Sequence, residues 1–164
     1  MLKFTDGSDV YNDFNQEYKQ HKKGFVILAP SGTGKTTFVN NQIGIKKNWI
    51  DSDSLFGSKS LNIDWMNSKN EVEERLSYLR ADYMLEQSKL YGYRIIGSLF
   101  YKYKADAVVL IPLNEHIEYV KLRKDLNIDK IKQLRKTIAY HAYYLNIPVF
   151  SNINSAIEYL ENHN

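Results

Sequence analysis

Residues 25–37 read FVILAPSGTGKTT: an apolar run, a glycine-bearing loop, then a lysine followed by two hydroxyl residues. The pattern predicts a buried parallel strand entering a phosphate-binding loop and the first turn of a helix. It matches G-x-x-x-x-G-K-S/T except that Ala29 stands where the leading glycine is usual. A polyphosphate is held best by several backbone N–H groups converging at a helix N-terminus, and only small residues let the backbone wrap that closely. Gly32 and Gly34 supply that freedom. Ser31, Gly32, Thr33, Gly34, Lys35, Thr36 and Thr37 are therefore the candidate nucleotide-binding residues. Lys35 is spaced to reach the β- and γ-phosphates, and Thr36 to offer its hydroxyl to the magnesium ion that accompanies them.

The chain of 164 residues is expected to form one domain, long enough to bury a full sheet and its covering helices. Apolar residues make up 43% and charged residues 25%, which fits a globular class and excludes a disordered one. No apolar stretch approaches the length of a membrane span, and the first residues lack the apolar core of a secretory signal. No membrane partner and a cytoplasmic location are expected. Cysteine is absent, which removes disulfides and thiolate metal sites. A net charge of +3, with a pI near 8.9, suits phosphorylated ligands without singling out a nucleic acid. The 13 tyrosines come with many Asn, Ile and Lys, as a base-composition bias would produce, and by themselves assign no function.

Ahead of the loop, Ser8 or Asp9 is placed to cap a first helix with Val10, Phe14 and Tyr18 on one stripe, stopped by Gly24. A helix is expected over 35–42, then a short strand at Trp49-Ile50 that ends in Asp51-Ser52-Asp53-Ser54. Ligands of open parallel sheets sit beyond the carboxyl ends of the strands. Residues two apart on extended chain point the same way, so Asp51 and Asp53 can both face the phosphate loop.

No clear period runs through 56–67. A long helix is expected over 71–89, with Val72, Leu76, Leu79, Tyr83 and Leu90 recurring at helical spacing as its packing stripe. Two further buried strands are expected, over 93–99 and 107–113. Asn114 is the expected cap of the next helix, through about Leu126, and Asp129 of the one after, which carries Ile131, Leu134, Ile138, Tyr140 and Leu145. Residues 148–150 make a fifth strand and 155–161 a terminal helix. Strands alternating with helices predict a doubly wound α/β fold.

Three chemistries compete for such a loop. A switch GTPase would carry Asn-Lys-x-Asp after a later strand, which is absent, and Asp53 and Gly57 are one residue too far apart for D-x-x-G. A hydrolysing ATPase would end a later apolar strand in a magnesium-holding acid. Here the third strand ends Ile95-Ile96-Gly97-Ser98 and the fourth Pro112-Leu113-Asn114, with Glu115 reading as a first-turn helix carboxylate. Kinases are left.

The pairing of APSGTGKTT with WIDSDSLF resembles the small P-loop kinases of the nucleotide and shikimate kinase group. The resemblance implies a single P-loop kinase domain, a five-stranded parallel sheet in order 2-3-1-4-5 and a helical lid over about 114–136. It implies ATP and magnesium as cofactors, Asp51 in the metal shell with Thr36, and Asp53 orienting an acceptor hydroxyl and taking its proton. Lys35, Asp53 and Arg123 become the catalytic candidates. Arg123 falls on the helix after the fourth strand, where the family carries nucleotide or lid contacts, and Arg135, on the next helix, is a second nucleotide-binding candidate. Arg75 and Arg80 border the acceptor pocket; Arg75 has Glu71 four residues away as a surface partner, leaving Arg80 as the substrate-binding candidate. Tyr83 reads as core, and His116 and His141, with no partner at metal-ligand spacing, read as structural.

The chain departs from its closest patterns. Gly97-Ser98-Leu99 replaces the glycine triplet of shikimate kinases, their arginine-bearing lid motif is missing, and the Asp-Gly pair of nucleoside monophosphate kinases is missing too. The expected activity is transfer of the γ-phosphate of ATP to a hydroxyl or phosphate of a small nucleoside- or nucleotide-like acceptor. The alternatives are a polynucleotide or DNA-base kinase, with nucleic acid as partner, and a regulatory module that binds ATP without transferring its phosphate.

Overall fold

Four consecutive apolar residues without polar alternation suit a strand covered on both faces, and Phe25–Leu28 (β1) is buried at all four. In this computed structural model, residues 24–42, 48–52, 70–90, 92–98 and 103–163 are described. After β1 come α1 (Lys35–Gln42), β2 (Trp49–Asp51), α2 (Glu71–Leu90), β3 (Arg94–Gly97) and β4 (Ala107–Val109). Then follow α3 (Leu113–Lys121), α4 (Ile128–Tyr144), β5 (Val149–Phe150) and α5 (Ile153–His163). The fold is α/β: among the described residues, five strands form one parallel sheet in the order β2-β3-β1-β4-β5, flanked by five helices. Among the described residues no helix is long and apolar enough to cross a membrane.

Strand alternation divides the core between the two faces. Ala107 and Val109 join Phe25, Ile27, Val39, Trp49, Ile96, Ala156 and Leu160 on the side covered by α1 and α5. Val108, one residue out of phase, joins Leu28, Ile138, Ala142 and Ile147 on the side covered by α4. Trp49 is fully buried, its ring edge-on to Phe25 at 5.5 Å and to Phe38 at 4.9 Å. Each such pair adds about 0.5–1.5 kcal/mol to the burial itself. Since Phe38 belongs to α1, this triplet locks the helix behind the phosphate loop onto β1 and β2.

Asp106 starts the β1–β4 pairing. Its Oδ2 accepts the Val26 N–H at 2.8 Å and its Oδ1 pairs with the Lys89 ammonium at 2.6 Å, while its own N–H donates to the Val26 carbonyl. One carboxylate thus satisfies a buried strand donor and ties the end of α2 to the sheet.

Several expectations are corrected. α2 turns Ala81, Met84, Leu85 and Ser88 inward, whereas Val72, Leu79, Tyr83 and Leu90 of the expected stripe are exposed. Both sets recur at helical spacing; the face bearing Ala81 and Ser88 lets the backbone approach the sheet more closely. The side chain of Leu76 lies outside the described residues. β4 stops at Val109, and Pro112 is the N-cap of α3 with Leu113 its first residue, so Asn114 is no cap. Asn127 caps α4, its side-chain oxygen accepting from the N–H groups of Asp129 and Lys130, and Asp129 sits in the first turn. Tyr140, expected to pack, is 69% exposed. The helix expected before Gly24 and the segment 56–67 lie outside the described residues.

Candidate nucleotide-binding site

Beyond β1 the chain leaves the sheet at Ala29, whose N–H still donates to Gly97 at 2.8 Å, and turns back through 31–34 into α1. Gly32 and Gly34 make that turn at φ of +80° and +86°, a region that costs other residues about 1–2 kcal/mol. Their surroundings differ. A Cβ on Gly32 would stand 2.9 Å from Val120 and 3.4 Å from the His116 ring, whereas one on Gly34 would meet nothing within 4 Å. Gly32 is therefore pressed against α3, and Gly34 faces open space.

The Pro30 carbonyl organises the loop from inside. It accepts the Thr33 hydroxyl and, at 2.9 Å, the Lys35 ammonium, and Lys35 is only 6% exposed. An ammonium held inside a turn of backbone N–H groups at a helix N-terminus is the donor set that a polyphosphate requires. At the loop's rim the Thr36 hydroxyl donates to Asp51 Oδ2 at 2.8 Å. Asp51 ends β2, opposite Ile96 of β3, so the sheet carries this carboxylate to the phosphate loop. A hydroxyl and a carboxylate in contact suit magnesium, which takes few protein oxygens and keeps its waters and phosphate ligands. No cluster of three His, Asp or Glu side chains fit to hold a metal occurs among the described residues.

His116, structural by its spacing in the sequence, supports the loop from behind. It is fully buried in α3, with Nε2 2.7 Å from the Ser31 carbonyl and Nδ1 3.0 Å from Arg135 Nη1. A guanidinium only donates and a carbonyl only accepts, so Nδ1 carries a lone pair and Nε2 a proton. The ring is neutral in this arrangement. Burial holds its pKa below the usual 6.5, the Ser31 bond opposes that, and the charges of Arg135 and Lys35 add to the depression. Arg135 also donates to the Ile111 carbonyl at 2.7 Å. A continuous path therefore runs from α4 through Arg135 and His116 to the loop. Nothing in the spacing of His116 signals it, because Ser31 is 85 residues away.

A cavity of about 640 Å³ opens over the loop, lined by 31–38, Asn41, Tyr119, Leu122 and Arg123. All seven loop candidates thus share one cavity with Arg123, which enters from the turn after α3. Arg123 pairs with Asp125 through two hydrogen bonds, of 3.1 and 2.6 Å, and this pairing lowers the Asp125 pKa. Arg135 instead lies behind the loop, on His116. Asp53 and the side chain of Arg80 lie outside the described residues.

No protein-family model matches the chain, and no curated protein matches it. Among solved structures, the crystal structure of TT1252 from Thermus thermophilus is a distant match. The alignment covers 72% of this chain and 81% of that one, at 14% identity and a TM-score of 0.45. The parallel sheet in order 2-3-1-4-5 is consistent with a P-loop NTPase-like fold.

Proposed function

We propose that the protein is a magnesium-dependent kinase that moves the γ-phosphate of ATP to a hydroxyl or phosphate of a small nucleoside- or nucleotide-like acceptor. The observation that carries this reading is the 2.8 Å contact between Thr36 and Asp51 beside a loop with Lys35 held inside it. The carboxylate comes from the end of β2, while β3, next to β1, ends in Gly97 without an acid. That distribution supports transfer to an acceptor over hydrolysis, because a hydrolase positions water from an acid on a later strand.

ATP would supply the phosphoryl group, and magnesium beside Thr36 and Asp51 would offset the charge that develops during transfer. The backbone N–H groups of the loop would hold the phosphates, with Lys35 adding a fixed positive charge among them. Thr36 and Asp51 would orient the metal. Arg123, exposed at the cavity wall, would leave Asp125 and turn its guanidinium toward the phosphates, excluding water as it does so. Asp53 would hold the acceptor hydroxyl and take its proton at a carboxylate oxygen.

The test is transfer from γ-labelled ATP with magnesium to a panel of nucleosides, nucleoside monophosphates and 5′-hydroxyl oligonucleotides. Label on one acceptor class is expected, and Asp53→Asn should lower transfer far more than ATP affinity. ATP binding with no label on any acceptor would overturn the kinase reading in favour of a binding module. Full transfer by Asp53→Asn would remove that residue from the mechanism.

A further inference from the structure

α4 has two unlike faces. Ile131, Ile138 and Ala142 face the sheet, with Leu134 partly buried beside them. On the outward side, Lys132, Lys136, Tyr140 and Tyr144 follow one another at intervals of four residues, a spacing that forms a single ridge along a helix. All four are exposed, Tyr140 at 69% and Tyr144 at 75%, and Tyr143 beside them is 85% exposed. The rings of Tyr140 and Tyr144 lie nearly parallel, 19° apart with centroids separated by 6.3 Å. From 130 to 145 the sequence holds Lys130, Lys132, Arg135 and Lys136 and not one Asp or Glu.

We propose that this outward ridge of α4 is a sequence-tolerant platform for single-stranded nucleic acid. The occupant follows from the two chemistries that the ridge joins. Lysines without interspersed carboxylates attract a phosphodiester backbone, and exposed parallel rings offer π-faces on which unpaired bases stack. From Lys132 to Tyr144 the ridge runs about 18 Å at helical rise, so cations and rings meet successive parts of one strand. A duplex hides its base faces and would engage only the lysines. A second copy of this chain is disfavoured, because a two-fold contact through this ridge would gather four lysines with no carboxylate of the ridge to offset them. The platform goes beyond the phosphoryl-transfer reading: its residues line no part of the cavity over the phosphate loop.

The experiment is fluorescence anisotropy of dye-labelled oligothymidylate and oligoadenylate titrated with the full chain over a range of salt. Both strands should bind, and more tightly than a duplex of equal length. Tyr140→Ala with Tyr144→Ala should weaken binding roughly tenfold or more, while the corresponding Phe pair keeps it. Lys132→Gln with Lys136→Gln should flatten the slope of log K against log salt by about 1.4. All these positions are exposed, and unchanged thermal melting by circular dichroism checks the fold of each variant. Absence of binding at low salt, equal binding of duplex, or indifference to the Tyr→Ala pair would each overturn the proposal. Polyglutamate binding with the same tyrosine dependence would overturn it as well, and point to an acidic protein partner. ATP affinity, measured in parallel, reports on the phosphate loop and not on the ridge.

Discussion

His116 shows how one proton can govern a phosphate loop. Its neutral ring accepts from Arg135 and donates to Ser31; protonation would set N–H against guanidinium at 3.0 Å and break the path. Because the folded pKa lies below the ordinary 6.5, the unfolded chain takes up the proton first as pH falls. The stabilisation is therefore complete above the unfolded value and is lost on descending through the folded one. His116→Gln retains an amide donor for Ser31 and does not titrate. Thermal melting of wild type and His116→Gln between about pH 7.5 and pH 5 should show the wild type losing more stability on acidification. Parallel pH profiles would remove His116 from this role. The loop glycines make a second contrast. Gly34→Ala should cost only the strain of its backbone, about 1–2 kcal/mol, since its Cβ meets nothing. Gly32→Ala adds a 2.9 Å collision with Val120 and should cost more, with nucleotide affinity falling alongside. Urea unfolding and ATP titration of the two variants check this order. Residues 31–37 were legible because they are contiguous; His116 was not, because its role exists only once α3 lies behind the loop.

Among the elements, β1 and α1 depend on neighbours distant in sequence. Asp106 completes the hydrogen bonding of β1 at Val26 and anchors Lys89. Asp106→Ala would strand a buried N–H and should cost about 1–3 kcal/mol in urea unfolding, with an unchanged slope against denaturant. Asp106→Asn keeps an acceptor for Val26 and should cost less, so equal losses in the two variants would mean that the ion pair carries the effect. Among the described residues the expected helices are present, and their boundaries fall within about five residues of those the sequence suggests, the largest gap being the end of α3 at Lys121. The inward face of α2 was not readable, since two sets of residues share the same period and only the sheet selects the one with Ala81 and Ser88. Cap positions escape the sequence for a related reason. Asn114 and Asp129 have cap chemistry, but the chain direction set by Pro112 and the geometry at Asn127 decide where each helix starts.

For the whole molecule, the sheet brings the end of β2 and the end of β1 to one edge, so ligand binding and folding are linked. A ligand bound only by the native state stabilises it by about 2.7 kcal/mol at a hundred times its Kd, which raises Tm by roughly 5–10 °C in a chain of this size. Mg-ATP should raise Tm on that scale by differential scanning fluorimetry. In Asp51→Asn the magnesium-dependent part of the rise should disappear, and an unchanged rise would take Asp51 out of the metal shell. By itself the sequence determined the strand-loop-helix of 25–42, the acid at the end of the second strand and the alternation that leads to a parallel sheet. These follow from local backbone preference and from hydrophobic period, which neighbouring residues set among themselves. Tertiary structure alone decided that Thr36 touches Asp51, that His116 carries the loop, and that the tyrosines of α4 face water. The physical reason is that contact and burial depend on which surfaces distant segments cover, and a helical period offers several faces from which packing selects one.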